Sequence, residues 1–194
     1  MPGLRLIVGL GNPGPEHART RHNAGFWFVD ALADKLGGRF GLESKLFGET
    51  AKVDIGGHNV WLLKPATYMN LSGKSVTAAL RYWKIEPEEC LVAHDELDLP
   101  AGTPRLKFDG GAGGNNGIRD IMRLLGHGGF GRLRIGIGHP GHKDRVTGHV
   151  LGNYHKSEME PLIDLLGAIA AEAKWLADGD EVRFQSDLAL RLQG

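Results

Sequence analysis

Short apolar runs alternate along this chain with amphipathic stretches of helical spacing, and that alternation constrains the fold more than any other feature. Residues 4–9 (LRLIVG) read as a buried strand. Residues 25–36 carry apolar side chains at helical spacing and stop at Gly37–Gly38. Two strand-like runs, 46–55 and 60–64, flank GGHN and read as a hairpin. An amphipathic helix over 69–83 follows, then a buried strand starting at Cys90 and another over 104–108. A glycine-rich loop leads to a helix over 118–125, a strand over 133–138 and two closing helices over 157–178 and 180–192. Ser157 and Glu160 suggest a capping box at the start of the first of these two. The expectation is one α/β domain over residues 1–194, with a twisted, mixed but mostly parallel central sheet flanked by helices. Residues 139–155 lack periodicity and are rich in His, Gly and basic side chains, so a mobile, lid-like surface segment is expected there.

At 194 residues the chain can bury a full core. No apolar run approaches the ~20 residues of a membrane span. No early apolar stretch ends in a small-residue cleavage site, which makes a soluble cytoplasmic protein the expectation. The single cysteine, Cys90, excludes an internal disulfide framework and a cysteine-based zinc cluster, and its apolar setting reads as inert core. Net charge is zero but unevenly spread. Residues 101–150 hold 8 Lys and Arg against 3 Asp and Glu, whereas residues 151–194 hold 4 against 8. A local cationic excess of this size fits an anionic partner or a solvated basic face equally well.

Gly9, Gly11 and Gly14 spell GxGxxG directly after the first strand, the pattern of a dinucleotide turn. Two features argue against a nicotinamide cofactor. Pro13 offers no N–H to a phosphate, and the helix that should begin inside the glycines waits until about residue 24. The acidic residues at suitable distance, Asp30 and Asp34, fall inside that helix, and a hairpin follows where a second parallel strand is required. The glycines and prolines therefore read as a tight loop that presents Asn12 and, further on, His22.

In open α/β sheets, ligand sites gather beyond the carboxyl ends of the strands. Those positions carry Asn12, His22 and Asn23; Tyr68, Met69 and Asn70; His94, Asp95, Glu96 and Asp98; and Asn115 and Asn116. Asn70 and Asn115 also fit helix N-caps. An imidazole backed by a carboxylate is a general base, and carboxamides can orient water, grip a peptide backbone or stabilise an oxyanion. No G-x-S-x-G elbow supplies a nucleophile, and no HExxH or Cys/His cage supplies metal ligands. Hydrolysis of an activated carbonyl such as an ester, by a His22-activated water, is the chemistry these residues favour, without metal or cofactor.

The blocks LIVGLGNPG, TRHNAGFWFVD, MNLSGKSV, HDELDLP, GGNNGIRDI and RLRIGIGHPG together resemble bacterial peptidyl-tRNA hydrolase, in order from residue 4 to 152. The resemblance implies a monomeric, cofactor-free α/β enzyme that cleaves the ester between a stalled peptide and the 3′ ribose of tRNA. It implies His22 as catalytic base, Asp95 as its partner, Asn12 and Asn70 on peptide and water, and Asn116 near the scissile ester. His17, Tyr68, Met69 and Asn115 would contact substrate, and Arg105, Lys107, Arg134, Lys143 and Arg145 would meet RNA phosphate. The sequence departs from the usual glycine loop GGHGGHNG, with Ala112 and Asn115 in place of both histidines, and His17 stands where an aromatic is common. Asn115 cannot titrate near neutrality. Three other functions remain to be distinguished: a non-catalytic RNA-binding relative, a dinucleotide-dependent oxidoreductase, and a simple esterase that needs no RNA.

Overall fold

The computed structural model describes residues 1–193. Seven strands, β1 (Leu6–Gly9), β2 (Gly41–Glu43), β3 (Gly48–Ile55), β4 (His58–Pro65), β5 (Cys90–Glu96), β6 (Pro104–Phe108) and β7 (Gly131–Gly136), form one sheet in the order β2-β3-β4-β1-β5-β7-β6. The inner strands β4, β1, β5 and β7 are mutually parallel. β3 and β6 run against them, and β2 returns to their direction. The mixed, mostly parallel sheet expected from the sequence is therefore the one observed.

Period-two alternation in the inner strands feeds two cores at once. Ile7, Leu62, Leu91, Ala93, Leu133 and Ile135 face the layer built by α1 (Ala24–Leu36), α5 (Lys156–Asp178) and α6 (Glu181–Gln193). Leu6, Val8, Leu63, Cys90 and Val92 face α2 (Ser72–Trp83) and α3 (Asn116–Leu125). Register places Ile7 beside Leu62 and Leu91, and Val8 beside Leu63 and Val92, so each apolar row crosses the sheet unbroken. The helix after β1 thus covers one face and the helix after β4 the other. Adjacent strands whose connections diverge in this way open a crevice at their carboxyl ends.

Two glycines allow α1 to begin close to that edge. A Cβ on Gly25 would run into the carbonyl of Ala93 and the backbone of Leu10, and one on Gly9 would run into the carbonyl of Gly25. Gly9 and Gly25 therefore serve close packing of helix on strand, with two short 3₁₀ turns, Pro15–His17 and Arg21–Asn23, between them.

The structure differs from the sequence expectations in three places. β2 is an unanticipated edge strand, with two of its three residues exposed. The helix start at α5 is closed by Glu158, whose carboxylate accepts from His155 N–H at 2.9 Å, rather than by Ser157 and Glu160. Within residues 139–155 the chain forms a 3₁₀ turn, Lys143–Arg145, and a short helix α4 (Val146–Val150). That stretch is laced to the loop bearing His22. Arg21 N–H donates to Gly152 O at 3.0 Å, Tyr154 N–H donates to Arg19 O at 3.1 Å, and Thr20 bridges to Asn153.

Candidate active site

The loop ends of β1, β4 and β5 and the start of α3 converge on a cleft of about 310 Å³. Asn12, His22, Met69, Asn70, Asp95, Asn115 and Asn116 all line it, and α4 closes one side with Val146, Thr147 and Val150. His22 Nδ1 lies 2.9 Å from Asp95 Oδ2, across 73 positions of sequence. Asp95 is 6% exposed at the end of the buried β5, so its carboxylate is held in place by the strand itself. Its second oxygen accepts from Asn115 Nδ2 at 3.1 Å. Asn115 is also the N-cap of α3, with Oδ1 accepting from Ile118 N–H at 3.0 Å. One amide thus caps α3 through its oxygen and bonds the Asp95 carboxylate through its nitrogen.

Asn12 is fixed just as firmly. Its backbone N–H donates to Asn23 Oδ1 at 2.8 Å while Asn23 Nδ2 donates to Asn12 O at 3.0 Å. Its Oδ1 accepts from Met69 N–H at 2.7 Å, which leaves Nδ2 as the free donor. In Asn116, Oδ1 accepts from Arg119 at 3.1 Å, again leaving the amide NH₂ available. On His22, Nε2 has no protein partner among the described residues. Beside the pair, burial pushes the His94 imidazole below its ordinary range, opposed by the bond from Nδ1 to Asp95 O at 2.8 Å. Among the described residues no group of three His, Cys, Asp or Glu side chains could hold a metal ion, and no helix is long and apolar enough to cross a membrane.

Other candidates fall outside the cleft. Tyr68 is 60% exposed and His17 sits against Glu16 at 3.7 Å; neither lines it. Lys107 and Arg134 line an adjoining pocket that shares Glu96 and Gly113 with the cleft. Arg134 donates to Glu96 at 2.8 Å, so its charge is already matched. Arg105 lines a separate hollow beside Phe184 and Leu188 of α6, away from the cleft. Lys143 and Arg145 are exposed just ahead of α4.

Sequence reasoning missed Arg21, which is buried with its side chain 5% exposed. Its guanidinium grips Glu158 through two bonds of 3.1 and 2.7 Å and His149 O at 3.0 Å. It joins α4 and α5 to the turn that carries His22. The signal was its place directly before His22, but its partner stands 137 positions away.

A parallel-sheet crevice holding an imidazole–carboxylate pair ringed by carboxamides is a candidate active site on an α/β fold. The family model for peptidyl-tRNA hydrolase matches residues 6–189. The peptidyl-tRNA hydrolase of Xanthomonas campestris pv. campestris (strain 8004) is 79% identical over 152 residues, covering 78% of this chain and 79% of its own. That of Stenotrophomonas maltophilia (strain K279a) is 75% identical over 158 residues, covering 81% of this chain and 82% of its own. The crystal structure of peptidyl-tRNA hydrolase from Acinetobacter baumannii superposes with a TM-score of 0.93 at 48% identity, covering 97% of this chain and 95% of that one. The chain belongs to the peptidyl-tRNA hydrolase family.

Proposed function

We propose that this chain hydrolyses the ester joining the peptide, or an N-blocked aminoacyl group, to the 3′ ribose of tRNA, and so recycles tRNA from stalled translation. The observation that carries this reading is the 2.9 Å contact between His22 Nδ1 and Asp95 Oδ2 at the wall of the cleft. With the Nδ1 proton held by the carboxylate, Nε2 keeps its lone pair for water. The water oxygen attacks the ester carbonyl carbon, its proton passes to Nε2, and Asp95 stabilises the imidazolium that forms. Asn12 and Asn116 offer N–H donors to the tetrahedral oxyanion, because their amide oxygens are already occupied. Collapse breaks the bond to the 3′ oxygen, which takes the proton back from His22, leaving a peptide carboxylic acid and free tRNA.

The remaining site residues divide by place. Met69 and Asn70 hold the peptide end of the cleft, with Tyr68 and His17 beside it. Asn115 acts through Asp95 rather than on substrate, as a positioning residue. Lys107, Lys143 and Arg145 hold RNA phosphate, with Arg134 contributing less because Glu96 matches its charge. The α4 segment covers the cleft as a lid. The site is complete within one chain, which supports action as a monomer, and its substrate supports a cytoplasmic location; light scattering tests the former. The decisive experiment is incubation with an N-acetylated aminoacyl-tRNA and with the free aminoacyl-tRNA: release from the first and sparing of the second is expected. His22→Ala should lower turnover by about 10²–10⁴-fold with the unfolding midpoint unchanged. Wild-type turnover in that variant would remove His22 from the mechanism.

A further inference from the structure

The three residues of one 3₁₀ turn, Arg21–Asn23, grip three different parts of the molecule. His22 meets Asp95 at the end of β5, and Asn23 locks Asn12 in the loop after β1. Arg21 reaches α5, the long helix whose Leu162, Leu165, Leu166 and Ile169 are buried in the core. Its guanidinium uses all three nitrogens. Nε and Nη2 donate to the two oxygens of Glu158, and Nη1 donates to His149 O in α4. Gly152 leaves room for this group, since a Cβ there would stand 3.1 Å from Nη1. Arg21 itself does not line the cleft.

We propose that Arg21 is a positioning residue for ester hydrolysis, and that it acts through His22 by pinning the turn to α5. The proposal rests on the reading of His22 as base and adds what holds that base in line. Anchors at Asp95 and Asn12 define an axis about which the turn can still rock. A third anchor, away from that axis, stops the rocking.

Backbone pairing does not supply the third anchor. Residues 19–21 pair with 152–154 through Arg21 N–H to Gly152 O, Tyr154 N–H to Arg19 O and the Thr20–Asn153 bridge. Both segments lie outside the seven-stranded sheet, so the pair shifts as one body unless a side chain ties it to the core. Glu158 is that tie. It stands in the first turn of α5, with its carboxylate also held by the His155 N–H at 2.9 Å. A forked guanidinium–carboxylate contact fixes direction as well as distance. Rocking the turn would move His22 Nε2 against the ester carbonyl, and a misplacement of about 1 Å can cost about 100-fold in rate.

The test separates rate from affinity. Single-turnover release from N-acetyl-aminoacyl-tRNA and the Kd for deacylated tRNA are measured in Arg21→Lys and Glu158→Gln, each alone and combined with His22→Ala, well below the unfolding midpoints. A lysine has one nitrogen and cannot hold both Glu158 oxygens and His149 O, so the Arg21→Lys rate should fall about tenfold with the Kd unchanged. In Glu158→Gln the amide oxygen still serves Nη2 while the NH₂ opposes Nε, so a loss of about threefold is expected. Beside His22→Ala both losses should shrink to less than about twofold, because a residue that acts through His22 has nothing left to position. A side chain that only stabilised the fold would lower the midpoint and leave these rates alone. Wild-type rates in both single variants, or losses that persist at full size beside His22→Ala, would overturn the assignment and leave the hydrolase reading standing. A weakened Kd that accounts for the whole loss would overturn it too. If Arg21→Lys fails to fold, the Glu158→Gln rates with and without His22→Ala decide alone. A wild-type protein that spares the N-acetylated ester would overturn the proposed function and this assignment with it.

Discussion

Asp95→Asn changes almost no volume, yet the hydrogen bonds around position 95 dictate a large effect. Oδ2 faces His22 Nδ1 at 2.9 Å and Oδ1 accepts from Asn115 Nδ2 at 3.1 Å. Asn115 cannot turn its amide round, because its own oxygen caps α3 through Ile118 N–H at 3.0 Å. The new amide must therefore present its oxygen to Asn115 and its NH₂ to His22. A donor facing Nδ1 drives the ring proton to Nε2, the atom that has to accept a proton from water. Turning the amide instead sets two NH₂ groups against each other in a buried place, at a cost of about 1–3 kcal/mol. Either way the carboxylate that stabilises the imidazolium is gone. Turnover should fall by about 10²–10⁴-fold. A midrange loss of about 10³ corresponds to about 4 kcal/mol of barrier. The assay is single-turnover release of labelled N-acetyl-aminoacyl groups from tRNA at neutral pH. Adding Asn115→Asp supplies an acceptor for the turned amide and still caps Ile118, so the double variant should regain about tenfold over the single one. Turnover within about threefold of wild type in Asp95→Asn, or a further loss in the double variant, would refute the pinned-amide chain.

The Cys90 thiol is pushed up to about 12 by burial in β5, so it should resist iodoacetamide in the native protein and react fully once unfolded, as read by mass spectrometry. Gly25→Ala should lower the urea midpoint by an amount equal to about 1–3 kcal/mol or more, since the new methyl meets the Ala93 carbonyl and the Leu10 backbone. Burial raises the Glu158 carboxyl, but bonds from Arg21 and the His155 N–H outweigh it and hold the group below the ordinary carboxylate range. Its contribution is therefore present above the unfolded-state value and lost as pH falls through the folded one. The stability gap between wild type and Glu158→Gln should accordingly close towards acid pH, and a gap independent of pH would refute the clamp. Lys143→Ala and Arg145→Ala should each flatten the salt dependence of tRNA binding by ~0.7–0.9 in log–log slope, whereas Arg105→Ala, beside α6, should leave it unchanged.

The sheet was readable from sequence because its inner strands carry buried residues on both faces and three of its helices stop at glycine. Gly37, Gly126 and Gly179 all adopt the left-handed conformation directly after helices α1, α3 and α5. β2 was not readable, since Gly41, Leu42 and Glu43 pair only at an edge and bury too little to leave a pattern. The candidate site was readable in outline for a topological reason. Asn12, Met69 and Asn70 stand in the loops after β1 and β4, and Asp95 stands at the end of β5; the fold brings those ends together whatever the spacing in sequence. The candidate phosphate-binding cations could not be sorted from sequence, because a charge counts as free only once its spatial neighbours are known. Arg134 and Glu96 lie on adjacent parallel strands, 38 positions apart, and neutralise each other. Arg21 and Glu158 do the same across 137 positions, converting what composition scores as two solvated charges into a buried brace beside the proposed base. Asn115 shows the opposite case. Read locally it is an N-cap, and read by its position after a strand it is a candidate site residue. The single amide serves the cap and touches Asp95 at once because its oxygen and its nitrogen point to different partners. Where a histidine would add a titrating ring beside Asp95, this carboxamide adds only a fixed donor, which leaves the proposed proton transfer to His22 alone.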